Sequence, residues 1–284
     1  MTYFAITHEV GAANLLYPYL MAEFPETLCI STGPSDPLPS HYGLTRIQPS
    51  ELLSYSSPAG NTIFLGASPL NLELTIIPTL KKFENVACQK ILVLDNWVNY
   101  ESRLNGLNPD SVIVFDEYAQ EHASRIFCNS PGGVVQVRNY FLEDCIKGYQ
   151  EKAKSEGRIL FIEVPLNNFT SYTNINENSY CICNQLRAIC ERFQNRQILY
   201  KRHPSGMGVD CFTMFGVKFP HFADRMELSE NFDLLDDFAN SEFVVGLPSY
   251  ALFLAQKLGM KVFVAEGTNE EWHGPLFESL NSIL

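Results

Sequence analysis

The chain has 284 residues, 46% hydrophobic and 18% charged, with 20 Lys and Arg against 32 Asp and Glu for a formal net charge of −12. That length suits two domains of ordinary size and a full core without cross-links. The acidic balance excludes a nucleic-acid binder, which needs a basic face, but leaves room for a local cluster that holds a small anion.

"YFAIT" (3–7) reads as a buried strand. A helix follows over 11–24, and Pro18 is expected to kink it or end its first part. "TLCIST" (27–32) is the next strand, closed by the turn-rich loop "GPSDPLPS". Two more strands, "NTIFLGAS" (61–68) and "KILVLDNW" (90–97), flank a helix over 69–83. "SVIVFD" (111–116), a helix over 117–127 and "GVVQVR" (133–138) complete the first half. A polar helical stretch over 142–157, ending in Gly157, suits a connector.

The second half restarts with the strand "RILFIEV" (158–164), a helix over 176–194 and the strand "QILYK" (197–201). "GVKFP" (216–220) looks like a short strand and 231–240 like an acidic helix. A strand (242–246), a helix (248–259) and a strand (261–265) close the pattern. Strand and helix alternate throughout, which means βαβ units and parallel sheets. The expected class is α/β: two Rossmann-like domains, residues 1–145 and 156–284, facing across a cleft. In such sheets ligands bind beyond the carboxyl ends of the strands.

Eight cysteines (Cys29, Cys88, Cys128, Cys145, Cys181, Cys183, Cys190 and Cys211) are scattered without a CxxC pair. They read as reduced thiols of a cytoplasmic protein, not a metal or disulfide framework. The opening "MTYFAITHEVG" reaches His8 and Glu9 too early for a signal peptide. No apolar run approaches the ~18 residues a membrane span needs, so a soluble protein is expected.

The candidate chemistry sits after the strands. His8 and Glu9 follow the first strand, where an imidazole beside a carboxylate is a candidate general base. Gly11 lets a ligand approach the backbone as the next helix begins. "LDNWVNY" (94–100) places Asp95, Trp97 and Tyr100 at one strand end, where the aromatics could wall a sugar or base or plug the core. Ser68, ending "LGAS", could face the same place. In the second half "KRHPSG" sets Lys201, Arg202 and His203 before Pro204. Lys201 and His203 share a strand face, and His203 is the expected phosphate contact. Gly246 ends a strand, and Ser249 and Tyr250 open the next helix, whose N-terminus is either an anion site or a plain cap.

"KRHPSG" followed by "VVGLPSYALFLAQKLGMKVFV" resembles the His-Pro and serine motifs of bacterial sialyltransferases and polysialyltransferases, capsule-type glycosyltransferases of GT-B architecture. The first half resembles surface-polysaccharide biosynthesis proteins with an "HD-GGAN"-like loop, a "GTS"-like strand end and a "DHWVNY"-like segment. Here these read "HEVGAAN", "GAS" and "DNWVNY". Asn96 stands where that group tends to have His, Glu9 where it tends to have Asp, and "PSY" replaces a Ser-Ser/Thr pair.

The resemblance implies transfer of a sugar from a nucleotide-activated donor, a CMP-linked acidic sugar first and a UDP-sugar second, to a glycan or glycolipid hydroxyl. The second half would hold the donor through Lys201, His203, Pro204, Gly246, Ser249 and Tyr250. The first half would hold the acceptor through Gly11, Asn14, Ser68, Trp97 and Tyr100, with His8, Glu9 or Asp95 as base. No DxD motif occurs, so no metal and no cofactor are expected. Peripheral membrane contact through a lipid-linked acceptor is compatible with this scheme. A nucleotide-sugar epimerase of the same fold and a non-catalytic nucleotide-sugar-binding partner of a polysaccharide assembly are the alternatives.

Overall fold

Apolar runs become strands, and their carboxyl ends lead into the loops that carry the candidate residues. The computed structural model describes residues 2–51, 59–66, 87–95, 97, 100, 108–154, 157–164, 175–203, 210–231, 233–247 and 249–264. The helix expected over 69–83 lies outside them, as do Ser68, Asn96 and Pro204. The chain divides into two units, Met1–Glu143 and Asp144–Leu284.

The first unit runs β1 (Tyr3–Thr7), α1 (Val10–Glu23), β2 (Leu28–Ser31), a 3-10 turn (Gly33–Ser35), α2 (Leu38–His41) and β3 (Thr45–Arg46). It continues with β4 (Ala59–Gly66), β5 (Ala87–Val93), β6 (Ser111–Val114), α3 (Glu117–Ile126) and β7 (Val134–Gln136). α4 (Tyr140–Glu151) crosses the boundary between the units. The strands form one sheet in the order β3-β2-β1-β4-β5-β6-β7, every neighbouring pair parallel. Consecutive residues are buried along its central strands, Phe4, Ala5 and Ile6 in β1 and Ile63, Phe64 and Leu65 in β4. Burial on both faces is the mark of a parallel sheet covered by helices.

Pro18 sits inside α1 rather than ending it. An interior proline loses one N–H bond and crowds a carbonyl, at a cost of about 3 kcal/mol. Helix α1 offsets that by burying Leu15, Leu16, Tyr17 and Leu20 together with Pro18 itself.

The second unit contains β8 (Arg158–Ile162), α5 (Ile175–Arg192), β9 (Gln197–Lys201), α6 (Cys211–Lys218), α7 (Pro220–Ala223) and β10 (Met226–Leu228). α8 (Leu234–Ala239), β11 (Phe243–Gly246), α9 (Tyr250–Lys257) and β12 (Lys261–Val264) follow. Its parallel sheet has the order β10-β9-β8-β11-β12. Ile159 pairs with Ile198 and Phe243, and Phe161 with Tyr200 and Val245, so six residues share one face. They form a single core cluster with Ile182, Leu186 and Ile189 of α5 and Cys211 and Phe215 of α6. The Phe161 and Tyr200 rings stack 5.5 Å apart.

The strand expected at 216–220 is not formed. Residues 211–218 are helix α6, capped where Asp210 accepts a hydrogen bond from the Thr213 N–H at 3.1 Å, and Pro220 opens α7. Phe215 falls four residues after Cys211, and both are buried on one side of the helix. The strand next to β9 is instead the three-residue β10.

Candidate functional site

In the first sheet the strand order reverses between β1 and β4, and His8 leaves β1 at that point. Its Nδ1 lies 2.9 Å from Thr32 Oγ1, and its carbonyl accepts from the Ser35 N–H at 3.1 Å. Gly33 has φ +58, and a Cβ there would come 2.1 Å from His8 Cε1. Only glycine both adopts that backbone readily and leaves room for the ring. Below, the buried hydroxyls of Thr7, Tyr17, Ser31 and Ser35 bond one another, Ser31 to Ser35 at 2.7 Å and Thr7 to Ser35 at 3.1 Å. This knot fixes the 32–35 turn, and the turn fixes His8.

Asp95 arrives from the far side of β4. A Cβ on Gly66, at the end of β4, would meet Ala12 Cβ at 3.0 Å and Thr7 Cγ2 at 3.2 Å. The bare strand end therefore lets the first turn of α1 settle close to the sheet. A Cβ on Gly11, in that turn, would come 2.8 Å from Asp95 Oδ2. Negative charge is favoured there by the helix dipole. Glu9 is the N-cap residue, in extended conformation and without a side-chain capping bond. His8, Glu9, Gly11 and Asp95 thus converge on the carboxyl end of the first sheet. Thr32 and Gly33 belong with them, although in sequence they read as a strand end and a turn.

Asn14 lies one turn further into α1 and accepts from Tyr42 Oη at 3.3 Å. Trp97 and Tyr100 are 4% and 1% exposed. The indole N–H donates to Asp116 Oδ2 at 2.9 Å, while Asp116 Oδ1 caps α3 through the Ala119 N–H. His122 Nδ1 lies 2.9 Å from the Trp97 carbonyl, which can only accept, so that nitrogen carries the proton. The Tyr100 ring lies against His122 and Phe127, at 5.3 and 6.1 Å. In this structure both aromatics pack the interior of the first unit.

In the second unit Lys201 and Gly246 both pair with Ile162, one from each side. The ends of β9 and β11 are therefore level and roughly 10 Å apart, two strand spacings. The sheet order reverses beside β8. A Cβ on Gly246 would lie 2.7 Å from the Ile162 carbonyl oxygen and 3.2 Å from Leu252 Cδ1, so glycine lets α9 start tight against the sheet. Ser249 caps α9, its Oγ accepting from the Leu252 N–H at 3.4 Å. Tyr250 is half-buried, with its ring 5.5 Å from Phe253.

Glu163, which sequence reading absorbed into a strand, ties the ends of β8 and β9. Its N–H donates to the Lys201 carbonyl at 2.9 Å, and its Oε2 accepts from the His203 N–H at 3.2 Å. Burial pushes the His203 imidazole down to about 4, so the ring is neutral at pH 7. The cations beside it are paired within the chain. Lys201 Nζ lies 2.9 Å from Asp237 Oδ2, with Ser229 Oγ and the Asn231 carbonyl as further acceptors. Asp237 is fully buried and also accepts from Ser229 and Asn231 at 2.6 and 2.8 Å. Arg202 pairs with Asp210 at 2.6 Å. Lys201 and Arg202 are paired cations, not a bare positive patch.

Cys29, Cys88, Cys128, Cys145, Cys183, Cys190 and Cys211 are free. Burial pushes the thiols of Cys29 and Cys145 up to about 12 and those of Cys183 and Cys190 up to about 11, which makes them poor nucleophiles. Among the described residues there is no cluster of three metal-ligating side chains and no helix long and apolar enough to cross a membrane.

No protein-family model matches the chain, and no curated protein matches it. Solved structures do. The S. aureus MnaA–UDP co-structure has a TM-score of 0.61 at 16% identity, over 95% of this chain and 80% of that one. Methanocaldococcus jannaschii UDP-GlcNAc 2-epimerase in complex with UDP-GlcNAc and UDP has 0.62 at 11%, over 93% and 83%. E. coli ADP-heptose LPS heptosyltransferase II has 0.52 at 13%, over 100% and 90%. At these identities the likeness is one of fold: the chain has a GT-B-like α/β fold with parallel sheets of seven and five strands.

Proposed function

We propose that the chain is a nucleotide-sugar-dependent glycosyltransferase, moving a sugar from an activated donor to a glycan or glycolipid hydroxyl in surface-polysaccharide synthesis without a metal ion. The second unit takes the donor. The observation that carries this reading is the level pairing of Lys201 and Gly246 with Ile162, which sets His203 and the Ser249-capped start of α9 on either side of β8. Negative charge grows on the donor phosphate as the sugar leaves. Donors already in place stabilise it, one such group contributing about 3 kcal/mol in other enzymes. Here they are the imidazole N–H of His203, the Ser249 hydroxyl proton and the first N–H groups of α9. Lys201 acts through Asp237, holding the end of β9 in place.

The first unit takes the acceptor, and the groups at the ends of β1 and β5 deprotonate its hydroxyl. The sialyltransferase-like motifs favour a CMP-linked acidic sugar. UDP-sugars come next, because two of the similar structures are described with UDP bound. Epimerisation of a nucleotide sugar has support of its own. The TM-scores to MnaA and the 2-epimerase, 0.61 and 0.62, exceed the 0.52 to the heptosyltransferase.

Calorimetric titration of CMP, CDP, UDP, GDP and ADP tests the donor site. One nucleotide is expected to bind, and His203→Ala to weaken it by about tenfold or more, the worth of one hydrogen bond to a charged group. No binding at millimolar concentration overturns the assignment. Incubating the matching sugar nucleotide with and without acceptor then separates the chemistries. An isomerised donor in the absence of acceptor means an epimerase, and bound but unchanged donor under all conditions means a non-catalytic partner.

A further inference from the structure

We infer that Thr32 holds His8 as a hydrogen-bond donor with its proton on Nε2, so that His8 binds a substrate oxygen and leaves proton abstraction to the carboxylates beside it. The tautomer is argued from the Thr32 contact without reference to the proposed function, whereas the bound oxygen and the role left to the carboxylates rest on it.

Which imidazole nitrogen carries the proton is set by the partner of the other one. A histidine that acts as a base through Nε2 is ordinarily held by a carboxylate or backbone carbonyl that accepts from Nδ1–H. Here the partner of Nδ1 is a hydroxyl, Thr32 Oγ1 at 2.9 Å. A hydroxyl can give or take, and a bare imidazole nitrogen accepts better than a hydroxyl oxygen does. The O–H of Thr32 therefore points at Nδ1. A free imidazole side chain also prefers its proton on Nε2, so both tendencies act in the same direction.

The surroundings hold the pair in place. The Thr32 carbonyl accepts from Ser35 Oγ at 3.1 Å. The Thr32 N–H donates to the Thr7 carbonyl at 3.1 Å, which anchors the backbone of the turn beside the ring. Bare Gly33 lies against the ring, where a Cβ would come 2.7 Å from Nε2 and 2.8 Å from Nδ1, and this fixes the ring's position. Among the described residues Nε2 makes no hydrogen bond. It presents an N–H with no acceptor among the described residues, at the same carboxyl end of the sheet as Gly11 and Asp95. On the proposed function its acceptor is an oxygen of the acceptor sugar.

Histidine-selective 15N labelling of the full chain, with long-range imidazole spectra at alkaline pH, reads the tautomer directly. The spectrum of His8→Gln assigns the His8 signals. The wild type is expected to carry the proton on Nε2, and Thr32→Asp, which sets a carboxylate at Nδ1, to move it to Nδ1. A wild-type proton on Nδ1 overturns the inference whether or not the Thr32 variant folds. An unmoved tautomer in folded Thr32→Asp overturns the role of Thr32. The spectra need no ligand, so failure of every nucleotide to bind counts against the proposed function alone. Once a donor is known, His8→Gln, which keeps an N–H near the Nε2 position, is expected to retain at least about tenfold more turnover than His8→Phe. Equal loss in both overturns the donor role.

Discussion

His203 stays neutral in the fold well below the ordinary histidine range, and this links the stability of the second unit to pH. Unfolded, the ring takes a proton near pH 6.5, and folded only near about 4. Between those values the unfolded chain binds the proton and the folded chain does not, so stability falls as pH falls through the window and levels off beneath it. The full loss is up to about 3 kcal/mol. His203→Gln, which does not titrate, is expected to lose less over the same range. Urea midpoints at a series of pH values measure the gap, and identical pH profiles for the two proteins would show that the ring is not buried as described. His203, Gly11 and Gly246 stand out in the sequence as candidates by residue type and position after a strand, and the structure sets each at a strand's carboxyl end or in the helix turn that follows it. Burial is another matter. The sequence reading favours Trp97 as a wall for a sugar or base over a core plug, whereas Asp116, nineteen residues on, holds its indole inside. Asp237 was hidden in an acidic helix because its partner Lys201 is remote in sequence.

Elements were legible in proportion to their apolar length. β1 and β9 fall where the sequence places them, at 3–7 and 197–201. β3 and β10, of two and three residues, carry no run long enough to show a period, and Glu227 interrupts β10 with a charge. One element depends on a contact that periodicity does not reveal. Arg225, just before β10, donates to the carbonyls of Cys190, Phe193 and Arg196, with Nη1 2.9 Å from the first and Nη2 3.0 Å from the last. These lie at and beyond the C-terminal end of α5, where carbonyls lack helical partners and a cation suits the dipole. Arg225→Met is expected to lower stability by roughly 2 kcal/mol, the range for hydrogen bonds to a charged group. Thermal melts measure it, and an unchanged midpoint would mean that water serves these carbonyls as well.

For the molecule as a whole, a charge of −12 repels any nucleotide that approaches it. Lys201 and Arg202 are paired with Asp237 and Asp210, so the proposed donor site attracts through N–H and O–H groups rather than bare cations. Raising salt screens the general repulsion and removes little local attraction. Nucleotide affinity is therefore expected to hold steady or rise between about 50 and 200 mM salt, a range over which screening of exposed charges strengthens markedly. Calorimetry at the two concentrations decides it, and a steep fall would mean that unpaired cations carry the binding.

The sheet order has one more consequence. Among the described residues, the outermost strands of the two sheets are β3, β7, β10 and β12, of two, three, three and four residues. Long unpaired strands invite other chains to add to the ladder, and aggregation follows. Margins this short, with Arg46 on β3, Glu227 on β10 and Lys261 on β12, offer an incoming strand little to grip. The fold keeps its long apolar strands in the middle and sets short strands at the margins, which leaves little backbone for another chain to extend.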